Sequence, residues 1–253
     1  MHAELESLAV EEPLEIRLLG KRLAVTMRTP GHDEELAAGF LFAEGFFNSC
    51  EELGEVRRAA GRKGEPDPNA VDVTLKIPAT DLRQRLRRNF VISSSCGICG
   101  KTSIESIQRR ISPLRDTAVI LAADLVRLAP QMRDAQAVFA ATGGLHAAGL
   151  FDLSGKLKVI REDVGRHNAV DKVIGHWVIA GRIPLADGAL MVSGRASFEI
   201  VQKAAAAGIP IVTAVSAPSS LAVELAEDVG ITLVGFMRGP GFNVYAHPER
   251  IAH

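Results

Sequence analysis

The sequence predicts an α/β protein with a larger C-terminal domain and a smaller α+β N-terminal domain. From about residue 117 onward, short apolar segments alternate with segments of helical periodicity, which is typical of a mostly parallel sheet covered by helices on both faces. Before that point, two pairs of strand-like segments flank one helical segment. We therefore divide the 253 residues into domains 1–116 and 117–253.

The elements of the N-terminal domain are predicted from alternation and from turn residues. They are two strands within 13–29 joined at Gly20-Lys21, a helix over 33–47, and strands over 51–60 and 71–77. Pro66 and Pro68 predict that the loop 61–69 is exposed. An arginine-rich helix is predicted over 81–89; a solvated helix face is the favoured explanation of its charge, and attraction of an anionic partner is the alternative.

A C-x-x-C motif, Cys96-Gly-Ile-Cys99, follows that helix. The surrounding serines and glycines of segment 93–102 predict a mobile loop. A single motif of this kind has three standard interpretations: half of a zinc site, a dithiol redox pair, or a reactive thiol that carries a group. The residues alone leave the three open.

The residues after the motif favour a reactive thiol. The capping-box pattern at 102–105 predicts that a helix begins about three residues beyond Cys99. The positive end of that helix and the ammonium group of Lys101 would both favour thiolate over thiol. Cys50, far away in sequence, is expected to be a structural or surface cysteine.

The elements of the C-terminal domain are predicted from helical periodicity and buried apolar runs. They are a helix over 121–132, a strand over 137–141, a hairpin of strands 146–151 and 157–161, helices over 165–180, 196–207 and 219–229, and strands over 189–192, 209–215 and 231–236. With strand 137–141 left out of the count, the order α-β-β-α-β-α-β-α-β is that of the cytidine-deaminase-like fold. We expect an α/β/α arrangement of that type.

Zinc deamination is nevertheless excluded. Zinc deaminases carry H-x-E and P-C-x-x-C at the starts of two successive helices. Here those positions hold 163–167 and 193–197, and no cysteine follows Cys99. The sequence therefore predicts no metal site of that kind.

Polar segments follow four of the predicted strands, and ligands of open α/β sheets bind beyond the carboxyl ends of strands. The segments are 161–168, 193–197, 216–220 and 236–241. Glycine, hydroxyl side chains and arginine recur in them, and these groups bind phosphate. We expect a phosphorylated or nucleotide-like ligand at this edge. The candidate contacts are Arg166, His167, Ser193, Gly194 and Arg195.

Two histidines are also of interest at this edge. His146 and His167 are each explained equally well as hydrogen-bonded structural histidines. For His167, the neighbouring Arg166 and the residue one helical turn further on, Asp171, favour ligand contact.

Composition excludes other classes of protein. A formal net charge of −1, with one Trp and one Tyr, disfavours a nucleic-acid-binding surface. Apolar stretches are interrupted well short of the ~20 residues that a membrane span requires. An odd number of cysteines, three, and the absence of a signal-peptide pattern favour the cytoplasm.

With these motifs in view, the chain resembles the formate dehydrogenase accessory sulfurtransferase family, FdhD. The resemblance covers nearly the whole chain. Its blocks are the C-x-x-C loop, 161–172, 29–31, 142–147, 192–195, 215–219 and 243–250.

The resemblance implies a cytoplasmic protein that formate dehydrogenase requires for activity. Such a protein takes sulfur from a cysteine desulfurase as a persulfide and passes it to the molybdenum cofactor, in its bis(molybdopterin guanine dinucleotide) form. The first cysteine of the loop, Cys96, would carry the persulfide, and Cys99 would have a supporting role. The implied cofactor-binding segment comprises Phe236, Met237, Arg238, Gly239, Pro240 and Gly241.

Three alternatives to a sulfurtransferase remain. A non-catalytic chaperone would hold the cofactor and dock on formate dehydrogenase. A dithiol oxidoreductase would need Cys96 and Cys99 equally, and a zinc site would require one cysteine pair from each of two chains. A symmetric homodimer is the default expectation for the oligomeric state.

Overall fold

The structure is a computed structural model that describes residues 6–61, 64–78, 80–82, 84–85, 113–114 and 118–253. Cys96 and Cys99, their loop, and the helix predicted after it lie outside the described residues. Most of the arginine-rich helix and the domain boundary at 116 do so as well. The division into two domains therefore stays a prediction.

The N-terminal elements form a four-stranded sheet that contacts one helix. They are β1 (Glu12–Leu18), β2 (Lys21–Arg28), α1 (Asp33–Ala43), β3 (Leu53–Ala60) and β4 (Pro66–Leu75), with a 3₁₀ turn at Cys50–Glu52. The strand order is β2-β1-β4-β3. Strands β1 and β4 run parallel, and the two predicted hairpins are antiparallel. Both predicted strand pairs are thus confirmed.

Two predicted boundaries in this region are wrong. Strand β4 already begins at Pro66, although residues up to 69 were predicted as loop. The prolines are tolerated because β4 pairs with β1 only through 70–73, so their missing N–H groups leave no bond to β1 unmade. Helix α1 ends at Ala43 rather than at 47, since Gly45 takes a left-handed conformation with φ of 74°.

The C-terminal elements alternate as predicted, with additions at both ends. They are β5 (Ile120–Leu121), α2 (Ala122–Leu125), α3 (Leu128–Asp134), α4 (Ala137–Thr142), β6 (His146–Asp152), β7 (Leu157–Asp163), α5 (Arg166–Ile179), β8 (Gly188–Val192), α6 (Phe198–Ala206), β9 (Ile211–Ala214), α7 (Ser220–Val229), β10 (Thr232–Arg238), β11 (Gly241–Ala246) and β12 (Ile251–Ala252), with a 3₁₀ turn at Pro248–Arg250. The sequence did not predict β11, which forms a hairpin with β10.

The second sheet has the order β11-β10-β9-β8-β6-β7. The prediction of a mostly parallel sheet is wrong, because only the β8–β9 and β9–β10 neighbours run parallel. The other neighbours in this sheet are antiparallel. Strand β7 nevertheless points the same way as β8, since both oppose β6. An α/β fold is confirmed, and its cytidine-deaminase-like description stays a prediction.

Helices cover both faces of this sheet, as the strand composition predicts. Successive strand residues alternate between two apolar clusters, with Leu190 in one and Met191 in the other. Helices α5, α6 and α7 contribute to the first cluster, and α2 and α3 to the second. The first cluster also contains Leu14 and Val71, so the N-terminal sheet shares this core.

Segment 137–141 was predicted as a strand and is helical. The Glu162 carboxylate accepts hydrogen bonds from the N–H groups of Val138 and Phe139, at 3.0 and 2.7 Å, at the start of α4. At its end, Gly143 has φ of 66° and donates its N–H to the Phe139 carbonyl. Alanine-rich composition favours the helix once both ends are satisfied.

A buried ion pair fixes the start of α1. The guanidinium of Arg28 donates two hydrogen bonds of 3.0 Å to the Asp33 carboxylate, and both side chains are 1% exposed. Burial alone would raise the pKa of Asp33, but hydrogen bonds from Arg28 and Arg58 outweigh it and lower that pKa below its ordinary value. Asp33 is therefore held as a carboxylate.

Helices α1 and α5 cross with their backbones in direct contact. A Cβ atom on Gly39 would overlap the carbonyl of Asp171, and one on Gly175 would overlap the carbonyl of Glu35. Only glycine at both positions permits this distance between the helix axes. The crossing fixes α5 against the N-terminal part of the chain.

We expect Gly39→Ala to destabilise the protein by about 3 kcal/mol, since the added methyl forces the helices apart. Gly241→Ala is the matched control, because no atom lies within 4 Å of where its Cβ would stand. Urea unfolding of both variants provides the measurement. Equal stabilities for the two variants would show that the crossing is not close.

Candidate ligand-binding site at the carboxyl edge of the sheet

The loops that follow β8, β9 and β10 are joined to one another by hydrogen bonds. Ser216 donates its N–H to the Gly194 carbonyl at 3.3 Å, and Phe236 donates its N–H to the Ser216 carbonyl at 3.2 Å. Ala196 and Pro218 form a short parallel bridge. The polar strand ends thus lie side by side at one edge, as predicted from sequence, and ligand binding there stays a prediction.

The candidate residues at this edge differ in exposure. Those with exposed side chains or backbone are Arg195, Phe236, Arg238, Gly239, Pro240 and Gly241. Arg238 donates from Nε to the Val215 carbonyl at 3.2 Å, which leaves its terminal nitrogens available. The Ser193 hydroxyl oxygen already accepts the N–H of Ala147 at 2.8 Å, and Met237 is 3% exposed in the core. Ser193 and Met237 therefore stabilise the edge from its buried side.

Phe236 has an unusual backbone conformation. Its φ is 54°, in the left-handed region that non-glycine residues seldom adopt, and its side chain is 39% exposed. The pairing of β10 with β11 shifts register between Gly235 and Arg238, which places Phe236 in a bulge. Such strain costs about 1–3 kcal/mol and clusters at functional sites. An exposed aromatic ring is thereby held two residues before Arg238 in the same strand.

A buried polar network attaches the start of α5 to the loop that follows β2. The Asp163 carboxylate, 0% exposed, lies 2.6 Å from Nζ of Lys172 and accepts the N–H of Thr29 at 3.2 Å. Lys172 also donates to the Thr29 carbonyl at 2.8 Å. Asn168 donates from Nδ2 to Asp163 and to the Met27 carbonyl, at 2.9 and 2.8 Å. Asp163, Asn168 and Lys172 of the 161–172 block therefore have a structural role.

We expect Lys172→Met to cost about 3–5 kcal/mol in the free energy of unfolding, because it leaves the Asp163 carboxylate buried without a cation. The double variant Asp163→Asn/Lys172→Met should recover part of this loss. Lys156→Met, at an exposed position, is the control and should stay within about 0.5 kcal/mol of the parent. Denaturant unfolding distinguishes these values, and a Lys172→Met protein as stable as the control would contradict the network's role.

His167 has partners that the sequence did not predict. Its Nε2 lies 2.8 Å from the Glu199 carboxylate and 3.2 Å from the Ser197 hydroxyl. This hydrogen bond lowers the pKa of Glu199 despite the opposing effect of burial. Asp171, expected beside His167, instead accepts two hydrogen bonds from Lys203, at 2.7 and 3.0 Å, and burial raises its pKa to about 6.

Arg166 and His146 lie next to Gly194. A Cβ on Gly194 would come within 3.4 Å of Nδ1 of His146 and 3.9 Å of Cδ of Arg166. Within the described part of the chain Arg166 has no hydrogen bond or ion pair, and its Nε is buried. Burial, followed by the positive charge of Arg166, lowers the pKa of His146 and favours its neutral form. The edge thus holds one cation that has no hydrogen-bond or ion-pair partner among the described residues.

Sequence reasoning missed Glu199, included Ser197 only as part of the polar segment 193–197, and left His146 undecided. The available signal for Glu199 was its place in the first turn of a helix, where acids are ordinary. The arginine-rich run at 81–89 is described only at its start, where Arg85 binds Glu52 through both carboxylate oxygens at 2.7 and 2.9 Å. That pairing agrees with a structural role for this arginine.

The fold and this edge define a class: a mixed α/β protein with exposed arginines at the carboxyl ends of its strands, where binding of an anionic ligand stays a prediction. Among residues 6–61, 64–78, 80–82, 84–85, 113–114 and 118–253, no helix is long and apolar enough to cross a membrane. The same residues contain no group of three or more His, Cys, Asp or Glu that could hold a metal ion.

Comparison with known proteins identifies the family. The sequence model of the FdhD/NarQ family matches residues 9–252, and the chain belongs to this family. Sulfur carrier protein FdhD of Mycolicibacterium paratuberculosis is 52% identical over 250 residues, covering 97% of this chain and 92% of that protein. The protein of the same name from Sulfolobus acidocaldarius is 48% identical over 243 residues, covering 96% and 90%.

A solved structure extends the comparison to the fold. It is the crystal structure of a candidate formate dehydrogenase accessory protein from Desulfotalea psychrophila, with a TM-score of 0.76 and 30% sequence identity. The match covers 98% of this chain and 91% of that one. The overall fold of this chain is therefore shared with that protein.

Proposed function

We propose that this protein is a cytoplasmic sulfur carrier that formate dehydrogenase requires for activity. The observation that supports this most strongly is the near-complete match to proteins named sulfur carrier protein FdhD, at about 50% identity. In the proposal, Cys96 accepts sulfur from a cysteine desulfurase as a persulfide. The sulfur would then pass to the molybdenum cofactor, bis(molybdopterin guanine dinucleotide), which is the substrate bound at the sheet edge. In that step the persulfide bond breaks, Cys96 leaves as a thiolate, and a two-electron reductant such as a thiol takes the transferred sulfur to the sulfide level.

The chemistry of the first step requires only a thiolate. The Cys96 thiolate attacks the terminal sulfur of the donor's persulfide, the donor's sulfur–sulfur bond breaks, and the donor cysteine leaves as a thiolate. No net oxidation occurs, because one sulfur–sulfur bond replaces another. Lys101 and the helix predicted after the loop would favour the thiolate form of the attacking cysteine.

The edge fits a guanine dinucleotide in its chemistry. Arg238 and Arg195 provide exposed guanidinium groups, which bind phosphate in a planar, bidentate way. The guanidinium of Arg166, which has no hydrogen bond or ion pair with a described residue, is a further candidate donor through its terminal nitrogens. Gly239 and Gly241 add backbone that a ligand can approach closely, since no atom lies within 4 Å of either Cβ position. We assign cofactor binding to this set together with the exposed ring of Phe236.

We expect one added sulfur atom on the peptide that contains Cys96 after incubation with a cysteine desulfurase and cysteine. Cys96→Ala should abolish this addition and should fail to restore formate dehydrogenase activity in a strain that lacks the protein. Cys50→Ala is the matched control and should behave as the parent, since Cys50 belongs to a half-buried 3₁₀ turn. Mass spectrometry of the digested protein measures the loading. A Cys96→Ala protein that loads sulfur elsewhere and restores activity would refute the proposal.

A second variant separates the rival redox function. A dithiol oxidoreductase requires both cysteines of the motif and forms a reversible disulfide between them, whereas a carrier can retain loading without Cys99. Loading of Cys96 in a Cys99→Ala protein therefore favours the carrier. Stoichiometric zinc in the reduced protein would instead favour a metal site shared between chains.

A second candidate function is a cofactor-binding chaperone without sulfur transfer, which the exposed arginines of the edge also support. We expect Arg238→Gln to weaken binding of guanosine diphosphate about tenfold, through loss of a charge-assisted contact. Arg22→Gln, on an exposed arginine of the other sheet, is the control. Titration calorimetry measures both. If Arg238→Gln abolishes function while Cys96→Ala does not, the chaperone replaces the carrier, and unchanged affinity in Arg238→Gln would remove this edge from cofactor binding.

A further inference from the structure

We infer that Arg166 is an anion-receiving group of the edge and that His167 keeps it available by holding the Glu199 carboxylate. This inference rests on the proposed function for the identity of the ligand, a nucleotide-type phosphate ester. Arg166 contacts the ligand in this assignment. Glu199 and His167 act through Arg166 and are positioning residues.

The first step of the argument is the unpaired state of Arg166. Its Nε is buried, yet no described residue accepts a hydrogen bond from it. A buried donor without an acceptor is costly, and a charged donor more so, so native structures seldom keep one without a reason. The terminal nitrogens of the same guanidinium form no hydrogen bond or ion pair with a described residue, so a ligand oxygen can bind there without displacing a protein acceptor. Gly194 and His146 border Arg166, and neither carries a carboxylate that could pair with its guanidinium.

The second step concerns the carboxylate that could compete. Glu199 lies close enough for the charge of Arg166 to lower its pKa, but the two form no ion pair. Its oxygen is instead 2.8 Å from Nε2 of His167. An ionised carboxylate can only accept hydrogen bonds, so Nε2 of His167 must carry a proton. It can do so in both the neutral and the protonated ring, and the hydrogen bond to Glu199 can therefore form in both states.

The third step is the consequence for binding. A free Glu199 carboxylate would pair with the guanidinium of Arg166, because Arg–carboxylate pairs are the preferred bidentate partners in proteins. Such a pair would have to break before a phosphate could bind, and its negative charge would repel the phosphate. The hydrogen bond from His167 removes Glu199 from this competition. The effect of removing His167 should therefore depend on whether Glu199 is charged.

The test is a double-mutant cycle of His167→Ala and Glu199→Gln, read as the affinity for guanosine diphosphate and for inorganic pyrophosphate. We expect His167→Ala to weaken binding of both probes about tenfold, because it releases the carboxylate. Glu199→Gln should bind as tightly as the parent or more tightly. The double variant should return to the affinity of Glu199→Gln, and Arg166→Gln should weaken binding in every background.

Several results would overturn the inference. A double variant as weak as His167→Ala would mean that His167 contacts the ligand directly. Weaker binding in Glu199→Gln would contradict the competition even if His167→Ala fails to fold. Absence of binding by the parent protein to both probes would remove the anion position altogether. Sulfur loading of Cys96 is measured separately and tests the proposed function. The anion-binding role of Arg166 and the sulfur-carrier function can therefore each fail without the other.

Discussion

The contact between the backbones of α1 and α5 is the constraint on which the rest of the arrangement depends. Gly39 and Gly175 allow the two helices to approach until carbonyl groups occupy the space of side chains. Helix α1 is in turn fixed to the N-terminal sheet by the buried pair of Arg28 and Asp33. Helix α5 therefore cannot shift without disturbing both sheets. The first turn of α5, which carries Arg166 and His167, therefore has a fixed position relative to both sheets.

The 161–172 block runs from the end of β7 into α5, and its residues have two different roles. Residues that face the loop after β2, Asp163, Asn168 and Lys172, use their polar groups to fix the backbone at Thr29. Arg166 and His167, between them in sequence, face the edge beyond β8 instead. The helical period separates these directions, since neighbours in sequence are about 100° apart around the axis. The residues that we propose for ligand binding are thereby held on a rigid helix.

Much of this fold could be predicted from the sequence, and the failures have physical causes. Buried runs rich in Val, Ile and Leu identify the central strands because few other environments suit them. The Ala-rich segment 137–141 has no such signal. Its helical form depends on Glu162 of β7, whose carboxylate accepts hydrogen bonds from the first N–H groups of α4. Strand direction next to β6 depends on pairing that local sequence does not encode. At the site, the sequence correctly predicted that the polar strand ends lie at one edge. The pairing of Glu199 with His167 could not be predicted, because it depends on how α5 and α6 pack.

A formal net charge of −1 does not conflict with an anion-binding edge, because the acids around it are already engaged. Asp163 is paired with Lys172, the Glu162 carboxylate accepts N–H groups of α4, and Glu199 is bound by His167. Each of these carboxylates accepts hydrogen bonds from the protein, while the guanidinium groups of Arg166 and Arg195 form no ion pair with any described residue. The local potential is thus set by which charges are paired and not by their total. A protein with balanced composition can in this way present a cationic edge to a phosphorylated ligand.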